Sequence, residues 1–175
     1  MLIALPPMTQ TLSIEEINAP VGFAAFPIEI GFIGANGPLW LNPHGDVLKL
    51  GFRVEMRHCN PMQICHGGML ATFIDMLMPM SIAHQSKMRG RFMPTVQLSQ
   101  EFLAPAPLGS WVEGTAQVLK LTRNMAFAQC LITADGELCG RASGVFKLGK
   151  EIGGAGLSGV IEKIKAANPL PSTEG

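Results

Sequence analysis

The feature that most constrains the fold is an apolar stretch from Gly67 to about Gln85, which directly follows His66. Apart from Pro79 it contains no strong helix breaker, and apolar side chains occupy nearly every side of the helix that it predicts. Such a helix cannot lie on a sheet with one face in water, so a sheet should wrap around it. Its one carboxylate, Asp75, is expected to be buried. Burial of a carboxylate costs free energy, so we expect Asp75 to have a function.

Strand patterns flank this helix on both sides. Apolar or alternating segments bounded by Gly, Pro, Asn and Asp are typical of strands, and six segments have this pattern: residues 39–41, 47–54, 95–102, 111–121, 125–134 and 138–148. Asp135-Gly136 joins the last two and is a strong hairpin signal. The predicted order is two strands, one long helix and four strands.

The two ends of the chain differ from the middle. Ser13 and Glu16 have the spacing of a capping box, which predicts a short helix from about Ile14 to Asn18. After a glycine-rich stretch, a second short helix is expected from Ser158 to Ala167, in a loosely attached tail. At 175 residues one domain is expected, and we divide the chain into a lead-in (1–31), a domain (32–148) and a tail (149–175).

Charge and composition exclude several classes of protein. The 13 basic and 13 acidic residues cancel, so no overall field favours nucleic acid or an anionic membrane. The N-terminus lacks the basic region of a signal peptide, and Asp75 and Pro79 interrupt the apolar helix too early for a bilayer span. The four cysteines lack C-x-x-C spacing and the four histidines lack ligand spacing. We expect a reduced cytoplasmic protein with no metal, no membrane partner and no nucleic acid partner.

The spacing of polar residues around the helix start is more specific. The intervals between Asn60, His66 with its two following glycines, and Asp75 resemble those of the hotdog-fold thioesterase superfamily, especially its phenylacetate-pathway and mammalian branch. The similarity covers about residues 32–148. It implies an α+β hotdog fold, in which a five- to six-stranded antiparallel sheet wraps a long central helix. It also implies hydrolysis of acyl-CoA thioesters by a homodimer at least, with a homotetramer expected, and no cofactor, since CoA is part of the substrate.

The resemblance assigns roles residue by residue. The catalytic acid falls on Asp75, the oxyanion amide on Gly67, the carbonyl-side groups on Asn60 and His66, and a water-orienting hydroxyl on Thr95. On the residues alone, four of these positions have structural readings as well. Asp75 could be a structural acid that is hydrogen-bonded to the backbone at a subunit contact. Asn60 precedes a proline and can start a turn, a histidine before a helix can act as a cap, and threonine is ordinary at a strand entrance.

Substrate-binding residues are expected next to the same elements. Gly68 lets the backbone approach a ligand closely, because it has no side chain. The phosphates of CoA need cations, and Arg89, Arg91 and the turn residue Arg123 are the candidates. Basic runs of this kind are also common on solvated surfaces.

The chemistry of a thioester fits these groups. A thiol with a pKa near ~8.5 leaves without a strong acid, so a carboxylate that activates water or attacks directly, together with N–H donors for the oxyanion, suffices. Asp75 lies eight residues beyond Gly67, or about 12 Å along a helix. One chain cannot hold one carbonyl against both groups. A two-fold partner with an antiparallel helix would supply the missing group, so the chemistry requires a dimer.

Two other functions remain open on the sequence. An enoyl-thioester hydratase or dehydratase on the same fold could use His66 with Asp75. A non-catalytic acyl-CoA-binding module would need no acid, which the retained Asp75 disfavours. The length and type of the acyl group, aryl or short to medium aliphatic, are not indicated by the sequence.

Overall fold

The protein was examined as a computed structural model that describes residues 12–28, 30–88, 90–151 and 156–167. The helices in these ranges are α1 (Ile14–Ile17), α2 (Gly31–Asn36), α3 (Gly67–Gln85) and α4 (Gly156–Ala167). The strands are β1 (Ala24–Ala25), β2 (Trp40–Asn42), β3 (Lys49–Arg53), β4 (Thr95–Phe102), β5 (Trp111–Leu121), β6 (Met125–Ala134) and β7 (Glu137–Lys147). A single 3-10 turn, Met56–His58, lies between β3 and α3.

All seven strands form one antiparallel sheet in the order β1-β2-β3-β5-β6-β7-β4. β4 follows α3 in the chain but pairs with β7 at the far edge of the sheet. The connection through α3 therefore carries the chain across the sheet. Within the described ranges, β4 has one neighbour, so its other edge presents unpaired backbone groups.

α3 packs against one face of this sheet and forms the centre of the core. Phe73, Leu77 and Met78 are fully buried. The strands come close to the helix where they carry glycine: a Cβ at Gly114 would lie 2.6 Å from Leu77 Cδ2, and one at Gly144 would lie 2.9 Å from Met78 Sδ. A long helix packed against an antiparallel sheet in this way is the hotdog arrangement, as predicted.

The helix is not covered on all sides, in contrast to the prediction. One face of α3 is only partly buried or exposed, and we refer to it as the open face: Gly68, Ala71, Thr72, Asp75, Met76 and Pro79. These positions recur every three or four residues, so they form one stripe. The expectation that Asp75 is buried is wrong for the single chain, because one sheet layer covers only one side of the helix.

Other differences concern short or terminal elements. The sheet has seven strands rather than five or six, since the two-residue strand β1 is too short for a sequence pattern. α2 was also not predicted. The loosely attached tail is wrong for residues 156–167, because Ile161 and Ile164 of α4 are buried in the main core. The domain boundaries themselves stay predictions.

The predicted strands and helices otherwise lie where the sequence places them. The hairpin of β2 and β3 forms, and α1 has both hydrogen bonds of the predicted capping box. In the part of the chain that the structure describes, no helix combines the length and the apolarity that a membrane crossing requires.

Candidate functional site

The start of α3 presents one free backbone donor. His66 is the N-cap residue, and its Nδ1 accepts a hydrogen bond from the Gly68 N–H at 2.9 Å. The His66 carbonyl accepts from the N–H of Met69, also at 2.9 Å. The Gly67 N–H, at the first helical position, has no partner among the described residues. It therefore points out of the helix with the positive end of the helix dipole behind it.

The absence of a side chain at Gly67 brings β4 close to the helix start. A Cβ at this position would lie 3.0 Å from Cζ of Phe102, the last residue of β4. The aromatic ring thus lies against the backbone that carries the free donor. A larger residue at position 67 would have to displace Phe102, whose side chain is about half exposed and can move.

The predicted acid and the predicted hydroxyl lie together at a second place. Thr95 Oγ1 donates a hydrogen bond of 2.6 Å to Asp75 Oδ1. Thr95 is the first residue of β4, and both side chains are exposed in the single chain. Hydrogen bonds to a carboxylate are short and strong, so this bond fixes the orientation of Asp75. Among the described residues, the other carboxylate oxygen has no hydrogen-bond partner.

These two places are separate within one chain. Gly67 and Asp75 are joined by continuous helix, and their eight-residue separation corresponds to about 12 Å along its axis. We call them the amide half-site (Gly67) and the acid half-site (Asp75 with Thr95). The structure brings the acid and the hydroxyl together, and it leaves the amide two turns away on the same helix.

Asn60 has a structural partner in the turn before α3. Its Oδ1 accepts a hydrogen bond of 2.9 Å from the Met62 N–H, and its own N–H donates to the Ile64 carbonyl. The turn leads into Cys65, whose N–H donates to Ala106. Asn60 thus shapes the segment that delivers His66 to the helix start, and its side-chain amide NH₂ remains the group that could contact a ligand.

Two of the three arginines predicted to bind phosphate lie on the surface. Arg91 and Arg123 are exposed, and neither has an ion pair or a side-chain hydrogen bond within the described ranges. Arg123 lies in the turn between β5 and β6. Arg89 lies outside the described residues. Gly68 is exposed at the amide half-site, where its N–H is already bonded to His66.

His58 was not predicted as a site residue, but its hydrogen bonds connect the start of α3 to α2. Its ring is buried, its Nδ1 accepts from the Glu55 N–H at 3.0 Å, and its Nε2 lies 3.0 Å from the carbonyl oxygen of Asn36 in α2. Its backbone carbonyl accepts the N–H of His66 at 2.8 Å. No spacing signal could reveal this residue, because its partner in α2 is 22 positions away and α2 itself was not predicted.

Cys65 is the nearest alternative nucleophile, and its environment disfavours that role. Burial is the largest effect that raises the pKa of its thiol to about 12. The reactive form of cysteine is the thiolate, so at neutral pH Cys65 is an inert thiol. Among the described residues, no three His, Cys, Asp or Glu side chains group as metal ligands.

Comparisons with known proteins agree with this architecture. Residues 62–140 match the family model described as the thioesterase superfamily. "Putative esterase PA0474" of Pseudomonas aeruginosa is 32% identical over 133 residues, which cover 75% of this chain and 98% of that protein. Acyl-coenzyme A thioesterase 13 of Mus musculus is 31% identical over 46% of this chain and 56% of that protein.

The fold has a similar counterpart among solved structures. The crystal structure of zebrafish thioesterase superfamily member 2 matches with a TM-score of 0.60 and 28% identity. The match covers 68% of this chain and 87% of the zebrafish chain. The residues matched by the family model contain α3 and the strands β4, β5 and β6. The chain therefore belongs to the thioesterase superfamily and has its hotdog fold.

Proposed function

We propose that this protein hydrolyses acyl-CoA thioesters at a site formed by two copies of the chain. The observation that carries the proposal is the division of the site into two halves. Asp75, oriented by Thr95, lies exposed on the open face, while the free Gly67 N–H lies two turns away. Neither half can catalyse the reaction alone. The similarity to an acyl-coenzyme A thioesterase supports the choice of substrate.

The proposed mechanism uses both half-sites on one carbonyl. Asp75 of one protomer removes a proton from water, which attacks the thioester carbon, or the carboxylate attacks directly and an anhydride is hydrolysed afterwards. The Gly67 N–H of the partner stabilises the oxyanion, and CoA leaves as the thiolate. Asn60 and His66 lie on the carbonyl side. The reaction requires no cofactor.

The open face offers a suitable surface for the second copy. Its residues are mostly small, so a second α3 could approach closely in antiparallel orientation. Beside this face lies β4, whose outer edge has no strand partner among the described residues and whose side chains Val96 and Phe102 are exposed. A two-fold axis here would place each Asp75 near the other chain's Gly67 and extend the sheet through β4.

Arg91 and Arg123, with Arg89, are the proposed contacts for the CoA phosphates, and Gly68 is the proposed backbone contact.

The direct test is the release of free thiol from a panel of acyl-CoA thioesters by the purified protein. We expect release from at least one aryl, short-chain or medium-chain substrate. Incubation with an enoyl-CoA tests the hydratase alternative, because hydration removes the absorbance of the conjugated alkene without releasing thiol. Tight acyl-CoA binding without any turnover would instead favour a binding module, and it would contradict the proposal.

Replacing Thr95 with valine should lower kcat by about 10- to 100-fold, since the carboxylate loses the hydroxyl that orients it. Valine keeps the shape and the strand preference of threonine, so the fold should persist. Thr95→Ser keeps the hydroxyl and is the matched control, with kcat expected close to that of the wild type. Equal rates for the valine and serine variants would assign Thr95 a purely structural role.

A further inference from the structure

A small hairpin precedes the start of α3, and its register places two cysteines opposite each other. An antiparallel bridge between its two arms pairs Cys59 with Cys65. Two backbone hydrogen bonds flank this pair, one on each side: the Asn60 N–H to the Ile64 carbonyl at 2.9 Å, and the His66 N–H to the His58 carbonyl at 2.8 Å. The cysteines therefore form a non-hydrogen-bonded pair, the closer of the two kinds in an antiparallel ladder.

A pair of this kind has the spacing of a disulfide. Directly opposed residues point to the same side, and in a non-hydrogen-bonded pair their Cα atoms are about 4.5 Å apart. Disulfides join Cα atoms about 4.4–6.8 Å apart. The thiols of Cys59 and Cys65 now donate weak hydrogen bonds to the carbonyls of Glu55 and His66, which a disulfide would replace. Rotation of the two side chains then brings the sulfur atoms together without movement of the backbone.

The turn between the two cysteines holds their register. The Gln63 N–H donates to the Asn60 carbonyl at 2.9 Å, and Gln63 has a positive φ of 58°. A three-residue loop that ends in a left-handed residue is a common hairpin connection. The second arm is also held from outside, because the Cys65 N–H donates to the Ala106 carbonyl at 2.8 Å. The geometry that a disulfide needs is therefore already set while both thiols are reduced.

The two thiols differ in how they can react. Both are free, and Cys65 is buried, whereas Cys59 is partly exposed and borders the depression between α2 and α3. Burial raises the pKa of both thiols, that of Cys65 to about 12. A reagent in solution therefore meets Cys59 first. Cys65 can react only with a group that is already attached to Cys59.

We propose that Cys59 and Cys65 form a thiol–disulfide exchange site, at which a small disulfide oxidises the pair to an internal disulfide that closes the hairpin before α3. The Cys59 thiolate attacks one sulfur of the reagent RSSR, and RS⁻ leaves. The Cys65 thiolate then attacks the Cys59 sulfur of the mixed disulfide, and a second RS⁻ leaves. The two RS⁻ ions take up the protons that the cysteines have lost. Two protein thiols thus become one disulfide, and RSSR is reduced to two RSH.

The high pKa of Cys65 slows the second step but does not prevent it. At pH 7 a thiol with a pKa of about 12 is a thiolate in about one molecule in 10⁵. A thiolate of high pKa is, however, intrinsically a strong nucleophile. The attack is also intramolecular, and effective concentrations of well-oriented groups reach about 10⁵–10⁸ M. The position of Cys65 opposite Cys59 therefore offsets its small thiolate fraction.

The test is to incubate the purified protein with oxidised glutathione, block the remaining thiols, digest with trypsin and measure the peptide masses. Cleavage after Arg57 and Lys87 leaves Cys59 and Cys65 in one peptide. The internal disulfide should therefore appear as the loss of two hydrogen atoms from that peptide, reversed by dithiothreitol. The oxidised protein should also have a Tm a few degrees higher, because the disulfide restricts the unfolded chain.

Cys130→Ala is the control, since it removes a buried thiol of β6 and should keep both the disulfide and the rise in Tm. Cys59→Ala should lose both. A failure to form the internal disulfide, with or without glutathione retained on Cys59, would overturn the proposal, and so would a link from Cys65 to Cys139 that joins two peptides. A disulfide that lowers the Tm would show that the backbone has to distort, which would overturn it as well. None of these readouts requires thioester hydrolysis, so the inference is tested independently of the proposed function.

Discussion

The Asp75→Asn variant should lose about 10²- to 10⁴-fold in kcat for thioester hydrolysis while it still binds acyl-CoA, since asparagine cannot accept a proton from water or act as a nucleophile. The change preserves shape, and asparagine can still accept the hydrogen bond from Thr95 Oγ1. The fold should therefore persist. Thiol release measures turnover. Direct titration of the variant with a poorly hydrolysed acyl-CoA measures binding.

Asp46→Asn is the matched control. Asp46 is an exposed carboxylate in the turn between β2 and β3, so its replacement removes the same charge from the chain without touching either half-site. We expect wild-type kcat for this variant. If Asp75→Asn releases thiol as fast as Asp46→Asn does, Asp75 is not the acid of the reaction, and the proposed mechanism fails.

The second large effect is expected at Gly67, where proline should lower kcat by about 10²- to 10³-fold because it deletes the N–H that binds the oxyanion. Proline is favoured at the first helical position. The extended backbone of His66, with ψ 138°, suits a residue that precedes proline. The helix should therefore start as before. Circular dichroism and thermal unfolding check the fold, and thiol release gives the rate.

The Gly67→Ala variant distinguishes the effect of losing the backbone N–H from the effect of adding side-chain atoms. Alanine places the same Cβ about as close to Phe102 as proline does, but it keeps the N–H. We expect the alanine variant to retain most of the wild-type kcat. Equal losses in both variants would mean that contact with Phe102, and not the amide, accounts for the effect.

The same two variants test the composite site. In a mixed dimer of Asp75→Asn with Gly67→Pro, one site carries both substitutions and the other carries neither. Random reassociation of the two inactive proteins should therefore restore about a quarter of the wild-type activity, since half of the dimers are mixed and half of their sites are intact. If both half-sites belonged to one chain, every site would carry a substitution and no activity would return.

Much of the fold follows from local patterns that the sequence displays directly. The range Gly67–Gln85 is helical as predicted, because its continuous apolar composition and the cap at His66 are local properties. The strands β5 and β6 also begin and end where alternation and turn residues place them. α2 and β1 were not predicted. α2 is held by hydrogen bonds from Arg57 and His58, which are distant in the sequence, and β1 has only two residues.

The candidate site was only partly predictable for the same reason. The spacing of His66, Gly67 and Asp75 is visible in the sequence, and so is the distance that divides them along one helix. The resemblance assigned Thr95 a water-orienting hydroxyl, but its contact with Asp75 was not predicted, because it depends on where β4 returns to α3. The role of His58 depends on α2, which carries no pattern of its own.

The sequence by itself determined the long apolar helix, its glycine entrance, the positions of six strands along the chain and the family of the chain, because these depend on composition and on spacing between near neighbours. The tertiary structure decided three other properties: that Asp75 is exposed on the open face, that Thr95 donates a hydrogen bond to it, and that hydrogen bonds from the turn at Met56–His58 hold α2 in place. Each depends on which distant segments the sheet brings together. Such contacts between distant segments leave no periodic signal in a single sequence.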